Sequence, residues 1–213
     1  MNYDDFIFGI WHPFGAHGHE AVDQIIERKR REIEVNGWTF WSFQYRRPEV
    51  LDEWSALLGS CGEQMPVVFC SDSPSAVDPA NTGTPVVPTD CQSYRFAGQK
   101  EWCAWPKGVR VPHPFRGEKC QASAFVIKQI AYPLLEPFPL REVEWLSKGC
   151  WQTARVPTRG EYLVRRGGTI SMRRVRAVLE LREPYLATVS ANADQLGVPT
   201  DVGTGFLSSR RKG

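Results

Sequence analysis

Residues 38–45 (WTFWSFQY) limit the fold more than any other segment, because aromatic side chains occupy both of their alternating positions. This composition predicts a β-strand, in which successive side chains point to opposite faces of a sheet. If one face packs the hydrophobic core, the other must be covered by a helix or line a pocket. The first face carries Trp38 and Phe40, and the second carries Trp41, Phe43 and Tyr45.

The remaining sequence mixes short β-rich runs with two amphipathic stretches. The helices are predicted at 21–35, ending at Asn36-Gly37, and at 48–58, with Pro48 in the first turn. A glycine-containing turn at 165–168 predicts a hairpin between its two flanking strands. Residues 74–88 lack periodicity and predict a long loop. Besides 38–45, strands are predicted at 6–11, 66–70, 122–130, 161–164, 170–172 and 175–181.

These elements predict an α+β fold. We expect residues 1–191 to form a single domain with a curved or barrel-like mixed β-sheet and two or three flanking helices. Residues 192–213 are rich in Gly, Ser, Thr and charge, which indicates a flexible C-terminal tail.

Composition and cysteine spacing indicate a cytoplasmic protein. Hydrophobic residues make up 42% of the chain, which excludes wholesale disorder. No signal peptide is recognisable, and no apolar run approaches the roughly 18 residues of a membrane span, so no membrane partner is expected. The six cysteines form no CxxC pair, and we expect free, mostly buried thiols.

The charge is unevenly distributed. Residues 1–100 carry 8 Lys and Arg against 14 Asp and Glu, whereas residues 101–213 carry 18 against 10. Guanidinium groups bind phosphate through a bidentate fork, so the arginine-rich stretch indicates a phosphate-binding surface, although a merely solvated surface is also possible. The arginines of this stretch are Arg155, Arg159, Arg165, Arg166, Arg173, Arg174 and Arg176.

Three of the four histidines, His12, His17 and His19, lie within eight residues and are followed by Glu20 at the start of the first helix. Imidazole and carboxylate groups are metal ligands, but no matching cluster occurs elsewhere, so neither a metal nor another cofactor is predicted. The loop could instead bind a base or an anion at the helix N-terminus. A solvated surface loop is the third interpretation.

Tryptophans near this loop are candidates for stacking a base. Trp11, Trp38 and Trp41 lie on strands that we expect to be adjacent. A base stacked on an aromatic side chain gains about 1–3 kcal/mol. Packing in the core is the simpler role for such side chains.

Part of the second half resembles PUA-like modules, the group that includes the EVE, ASCH and YTH modules. The resemblance rests on residues 108–114 (GVRVPHP) and on the apolar strand 122–130 (ASAFVIKQI), which leads into the turn Tyr132-Pro133. It implies binding of RNA or of modified DNA bases, commonly in an aromatic-lined pocket and without catalysis. It assigns no binding residue in this sequence.

The sequence therefore favours a nucleic-acid-binding module, a reader of RNA or of modified DNA bases. The alternative is an enzyme acting on a nucleotide or a phosphorylated substrate, with His12, His17, His19 and Glu20 at its site. An accessory protein that binds another protein is a third hypothesis, and the oligomeric state stays open.

Overall fold

A computed structural model describes residues 6–15, 20–62, 64–72, 91–111, 121–154 and 160–191 of the chain. In these ranges two helices flank one large mixed sheet, which confirms the predicted α+β class. The helices are α1 (Val22–Asn36) and α2 (Pro48–Gly59). The strands are β1 (Phe8–Phe14), β2 (Thr39–Phe43), β3 (Val67–Asp72), β4 (Ser93–Phe96), β5 (Cys103–Ala104), β6 (Gln121–Ala131), β7 (Phe138–Pro139), β8 (Val143–Ser147), β9 (Cys150–Gln152), β10 (Tyr162–Arg166) and β11 (Arg174–Ser190).

The main path of the sheet has the strand order β2-β6-β11-β3-β1-β10-β8-β9. Strands β1 and β3 are parallel, and the other neighbours on this path are antiparallel. A parallel pair needs a crossover connection, which α1, β2 and α2 provide. The end strands β2 and β9 do not pair with each other within the described part of the chain, so the sheet is curved and open rather than a closed barrel.

The 17-residue strand β11 is the axis of the sheet. Leu179 pairs with Val68 of β3 on one edge and with Ile130 of β6 on the other. On the edge of β11 that pairs with β3, strand β4 pairs with the end of β11. On the edge that pairs with β6, strand β7 pairs with the start of β11. The predicted strand 175–181 therefore ended nine residues too early, since β11 continues to Ser190.

The two faces of β2 explain why it is aromatic on both sides. Trp41 and Phe43 belong to the core cluster that both helices cover, together with Leu51 and Trp54 of α2. Phe40 belongs to a second cluster, which residues of the 91–111 segment cover. The face that carries Phe40 is thus covered by irregular chain and short strands rather than by the expected helix or pocket. A third cluster, around Trp11 and Phe69, lies on the other side of β1 and β3.

The predicted hairpin at 165–168 is wrong. Strand β10 is already paired on both edges, with β1 and with β8, so no edge is free for residues 170–172. Ile170 instead forms an isolated bridge with Val143, and 170–172 is not a strand. Both Gly167 and Gly168 donate backbone hydrogen bonds to the carbonyl of Glu142, at 2.9 and 3.0 Å.

Helix boundaries follow the local sequence signals. Gly37 adopts a left-handed conformation (φ 75°) at the end of α1, and its N–H donates to the carbonyl of Ile33. Pro48 occupies the first turn of α2.

Neither described helix is long and apolar enough to cross a membrane. The thiols of Cys61 and Cys70 are free and buried, and those of Cys103 and Cys150 are free and more accessible. The predicted loop 74–88 and tail 192–213 lie outside the described residues.

Candidate functional site

Pairing of β1 with β10 places His12 across from Glu161. Trp11 is the register partner of Tyr162, so the antiparallel ladder sets the next residue of β1 opposite the residue that precedes β10. His12 Nδ1 lies 3.3 Å from Glu161 Oε1. Both residues are only 6% exposed. An imidazole and a carboxylate thus meet in the interior of the protein.

Trp41 fixes the tautomer of His12. Its indole N–H donates to His12 Nε2 at 3.2 Å. An indole nitrogen only donates, so Nε2 must accept, and the proton of the neutral imidazole resides on Nδ1. The ring is also held by an edge-on contact with Phe125, with ring centroids 5.5 Å apart. His12 therefore presents an N–H donor on the side of Glu161.

Arg46, in the connection between β2 and α2, completes the cluster. Its Nη2 donates to the backbone carbonyl of Glu161 at 3.1 Å and lies 3.7 Å from Glu161 Oε2. Its backbone N–H donates to Ser123 Oγ at 2.8 Å, which anchors the residue to β6. The guanidinium also lies 5.9 Å from the ring centroid of Trp54.

Three buried polar atoms in this cluster have no hydrogen-bond partner among the described residues. They are His12 Nδ1, Arg46 Nε and Glu161 Oε2. The His12–Glu161 contact, at 3.3 Å, is not aligned as a hydrogen bond. A buried polar group without a partner costs about 1–3 kcal/mol, and three in one place are a reason to expect a polar ligand there.

Glu161 is ionised at neutral pH. Burial alone would raise its pKa, but the contact with His12 and the positive charge of Arg46 outweigh burial and hold the pKa of this carboxyl below its ordinary value of 4.5. The carboxylate is therefore a pure acceptor, flanked by a donor on each side.

Among the candidate residues that the structure describes, it brings together one tryptophan and one histidine. Trp41 contacts His12, whereas Trp11 and Trp38 belong to the two other clusters. Trp11 is 2% exposed and donates to Ser71 Oγ at 3.1 Å. Trp38 is partly exposed, with the Arg182 guanidinium 5.8 Å from its ring centroid. Because Trp11 and Trp41 are covered, stacking a base on either ring requires neighbouring side chains to move.

The described candidate arginines lie on strand β10 and on strand β11 or directly before it, and β3 and β1 separate these two strands. Three strand spacings correspond to about 14 Å between them. Arg165 pairs with Glu144 at 2.6 Å and stacks on Trp151, whereas Arg176 pairs with Asp72 at 2.8 Å.

The exposed arginines at the start of β11 alternate with buried residues. Arg174 and Arg176 are exposed, whereas Val175 and Ala177 are buried. Arg174 donates to the carbonyl of Pro137 at 2.8 Å, and Arg173 is exposed. On β10, Arg166 lies 3.9 Å from Glu142.

Glu20 forms a bidentate pair with Arg28, at 2.9 and 3.0 Å. Burial alone would raise the pKa of Glu20, but this pairing lowers it overall. His17, His19, Arg155 and Arg159 lie outside the described residues. Within the described ranges no group of three or more His, Cys, Asp or Glu side chains could hold a metal ion.

The sequence did not single out Glu161 and Arg46 as site residues. Arg46 is 115 residues from Glu161, and no local motif links them. The available signal was a charged residue at one end of a β-rich run: Arg46 follows 38–45, and Glu161 begins 161–164. Many surface residues occupy such positions. Only the register between β1 and β10 identifies Glu161 as the partner of His12.

Comparison of the chain with protein-family models, with curated proteins and with solved structures gives no match.

Proposed function

We propose that this chain is a nucleic-acid-binding module, a reader of RNA or of modified DNA bases, in which the site formed by His12, Arg46 and Glu161 receives a single unstacked base. The observation that carries the proposal is the convergence of three buried, unpaired polar atoms, one from each of these residues. The resemblance of residues 108–133 to PUA-like modules points to the same class of ligand.

The charge of the site favours a base over a phosphate. The negative charge of Glu161 is balanced by Arg46 at 3.7 Å, so the pair has no net charge. A phosphate would meet the buried carboxylate at close range, and like charges in a buried site repel strongly. The edge of a nucleobase is neutral and carries several donors and acceptors, which suits a site with both kinds of unpaired atom.

The arginines of β10 and β11 supply candidate phosphate contacts around such a site. Arg176 and its partner Asp72 are both more than half exposed. Arg166 is more than one-third exposed, and its partner Glu142 lies 3.9 Å away. Exposed ion pairs contribute about 0–1 kcal/mol, so exchange of these carboxylates for phosphates costs little. Arg173 and Arg174, at the start of β11, are also exposed.

The enzyme alternative is not favoured by any described feature. A general base needs a nitrogen with a free lone pair, but His12 Nε2 accepts from Trp41, and Nδ1 carries the proton of the neutral ring. That alternative therefore becomes an outcome of the test rather than a second proposal.

The test is a fluorescence-anisotropy titration of labelled single- and double-stranded DNA and RNA, with and without modified bases, at two salt concentrations. We expect saturable binding that weakens with salt, since bound phosphates release counterions. Arg46→Gln should weaken binding about tenfold or more, whereas Arg31→Gln, at an exposed α1 residue paired with Glu27, removes the same charge and should have little effect.

Absence of binding at low salt, or equal effects of the two variants, would overturn the proposal. Thermal melts of both variants verify that the fold is retained. Turnover of a nucleotide that is lost in His17→Ala would support the enzyme alternative instead.

A further inference from the structure

We infer that this chain stacks one base of a single-stranded nucleic acid on Trp38 and holds adjoining phosphates with Arg182 and Lys128. This inference rests on the proposed function and adds a second surface of contact with the strand. It follows from the exposure of these three side chains and from the contacts that they leave unmade.

The surface lies on the opposite face of the sheet from the site of the proposed function. Trp38 packs against the cluster that contains Phe40. Trp41, which donates to His12, belongs instead to the cluster that the helices cover. The sheet therefore separates Trp38 from His12, and the two places contact different nucleotides.

The indole of Trp38 is held in place, yet no aromatic ring in the described part of the chain stacks on it. Trp38 directly precedes β2 and is partly exposed. Its ring centroid lies 4.8, 6.0 and 6.1 Å from those of Phe40, Tyr94 and Phe96, at interplanar angles of 79°, 65° and 57°. These inclined contacts fix the ring, and a fixed ring loses little conformational entropy when a base stacks on it.

Arg182 brings a positive charge to this ring. Its guanidinium lies 5.8 Å from the centroid of the Trp38 ring. Burial and then the Cys103 thiol raise the pKa of Tyr94, whereas the charge of Arg182 opposes the rise, so the guanidinium also acts on the Tyr94 hydroxyl. Arg182 is exposed and forms no ion pair within the described residues, so its charge is available to a phosphate.

Lys128 adds a second cation beside the ring. Thr39 of β2 pairs with Ile127 of β6. The antiparallel ladder therefore sets Lys128, the next residue of β6, across from Trp38 and on the same face. Lys128 is partly exposed, and it too forms no ion pair in the described ranges.

The carboxylates closest to Arg182 along the chain do not neutralise these cations. Glu180 is 4% exposed and forms no ion pair with a described residue. Burial and then the charge of Glu183 raise the pKa of Tyr185, which packs against the helix-covered cluster. Glu183 therefore acts on the face of the sheet opposite Trp38.

A partly exposed indole beside two cations suits an unpaired strand. The bases of a duplex already stack on one another, whereas a base of a single strand is free to lie on an aromatic ring. Guanidinium and ammonium groups form charge-assisted hydrogen bonds with phosphates. An acidic peptide would supply the negative charge, but carboxylate side chains have no flat ring to cover the indole.

Trp151 is a matched comparison, because it is also partly exposed and has an arginine over its ring. The Arg165 guanidinium lies 4.3 Å from the Trp151 ring centroid. Phe8, however, already stacks on Trp151 at an interplanar angle of 28°, and Arg165 pairs with Glu144 at 2.6 Å. Both groups are therefore engaged within the protein, and Trp151 is not expected to stack a base.

The experiment is a fluorescence-anisotropy titration of the full chain with labelled single strands of about 12 nucleotides, as DNA and as RNA, over a series of salt concentrations. Trp38→Leu should weaken binding at least about fivefold without changing the salt dependence, because stacking is not ionic. Trp38→Phe keeps a flat ring and should recover most of the affinity. Arg182→Gln should weaken binding and reduce the slope of log Kd against log salt by about 0.7, the contribution of one phosphate contact on a single strand.

Two control variants match these changes in kind. Trp151→Leu removes a comparable tryptophan, and Arg31→Gln removes a comparable charge from the exposed face of α1. Both should leave the affinity and its salt dependence unchanged. Thermal melts verify that every variant retains the fold.

The outcomes separate this inference from the proposed function. If strands bind but Trp38→Leu and Arg182→Gln bind as the controls do, or if duplexes bind as tightly as single strands, this surface is overturned and nucleic-acid binding stands. Binding of polyglutamate that both variants weaken as much as they weaken DNA binding overturns the inference in favour of an acidic protein partner. Failure of every strand and duplex to bind at low salt overturns the proposed function, and this inference with it.

Discussion

Replacing Glu32 by glutamine removes the counter-charge of a lysine that is buried beneath α1. Lys29 is 1% exposed, and its Nζ donates to Glu32 Oε2 at 2.7 Å, to Thr39 Oγ1 at 3.3 Å and to the carbonyl of Arg110. Glu32 also accepts from Arg28 and from the backbone N–H of Arg110. The cluster joins α1 to β2 and to the segment that covers Phe40.

The expected loss of stability can be worked from these contacts. Burial lowers the pKa of Lys29 to about 8 from 10.5, against the opposing effect of the Glu32 carboxylate. At pH 7, keeping Lys29 protonated in the interior therefore lowers the free energy of unfolding by about 3 kcal/mol. If Lys29 instead lost its proton on folding, the free energy of unfolding would be lowered by about 5 kcal/mol, which is the upper limit. Without Glu32, burial of Lys29 therefore lowers the free energy of unfolding by at most about 2 kcal/mol more. Weakened hydrogen bonds from Arg28 and Arg110 add about 1 kcal/mol, giving about 3 kcal/mol in total.

The pH dependence has a definite sign. The folded-state pKa of Lys29 is depressed, so its cost to the folded state is fully present below pH 8. Between pH 8 and 10.5 the unfolded chain binds more protons than the folded chain, and this group makes stability rise with pH. In Glu32→Gln the pKa of Lys29 falls further, so the deficit relative to the original protein should shrink as the pH rises from 7 to 9.

The assay is urea unfolding followed by tryptophan fluorescence at pH 7 and pH 9. Glu27→Gln is the matched control, because Glu27 pairs with Arg31 on the exposed face of the same helix and should lose less than about 0.5 kcal/mol. If Glu32→Gln costs no more than Glu27→Gln at pH 7, the buried pair does not stabilise the fold as argued.

Three further predictions concern the packing and the site. Gly168→Ala places a Cβ 2.2 Å from the carbonyl oxygen of Val143 and should cost at least about 2 kcal/mol, whereas Gly59→Ala, with its nearest atom at 3.5 Å, should cost nothing; equal melting temperatures for the two variants would contradict the reported contact. Phe43→Ala removes a ring that is 2% exposed and should lower the free energy of unfolding by about 3–5 kcal/mol, and a loss below about 1 kcal/mol in urea titrations would show that the ring is not part of the core. Because the pKa of Glu161 is lowered in the folded state, its ionisation stabilises the protein above its ordinary pKa of 4.5, and this stabilisation is lost as the pH falls through the folded-state value. The free energy of unfolding of Glu161→Gln should therefore decrease less as the pH is lowered than that of the original protein. An unchanged dependence on pH would disprove the lowered pKa of Glu161.

The sequence by itself determined where both described helices begin and end and which runs form several of the strands. Gly37 ends α1 because its left-handed conformation is nearly free of cost only for glycine, and Pro48 suits the first turn of α2. The alternation of aromatic residues predicted the strand β2 with both faces packed, but the 91–111 segment, rather than the expected helix or pocket, covers the face of Phe40. Such features depend on residues a few positions apart, and the sequence displays those distances directly.

Only the tertiary structure decided which elements pair, and therefore where the candidate site lies. The periodicity of the sequence did not predict that β11 would be 17 residues long or that both edges of β10 would be paired. An alternating pattern specifies which face of a strand is buried but not which strand is its partner. The three candidate tryptophans separated into three clusters for the same reason. His12 meets Glu161 and Arg46 because β1 pairs with β10 and the connection after β2 is anchored to β6, and pairing energies between distant strands set both arrangements.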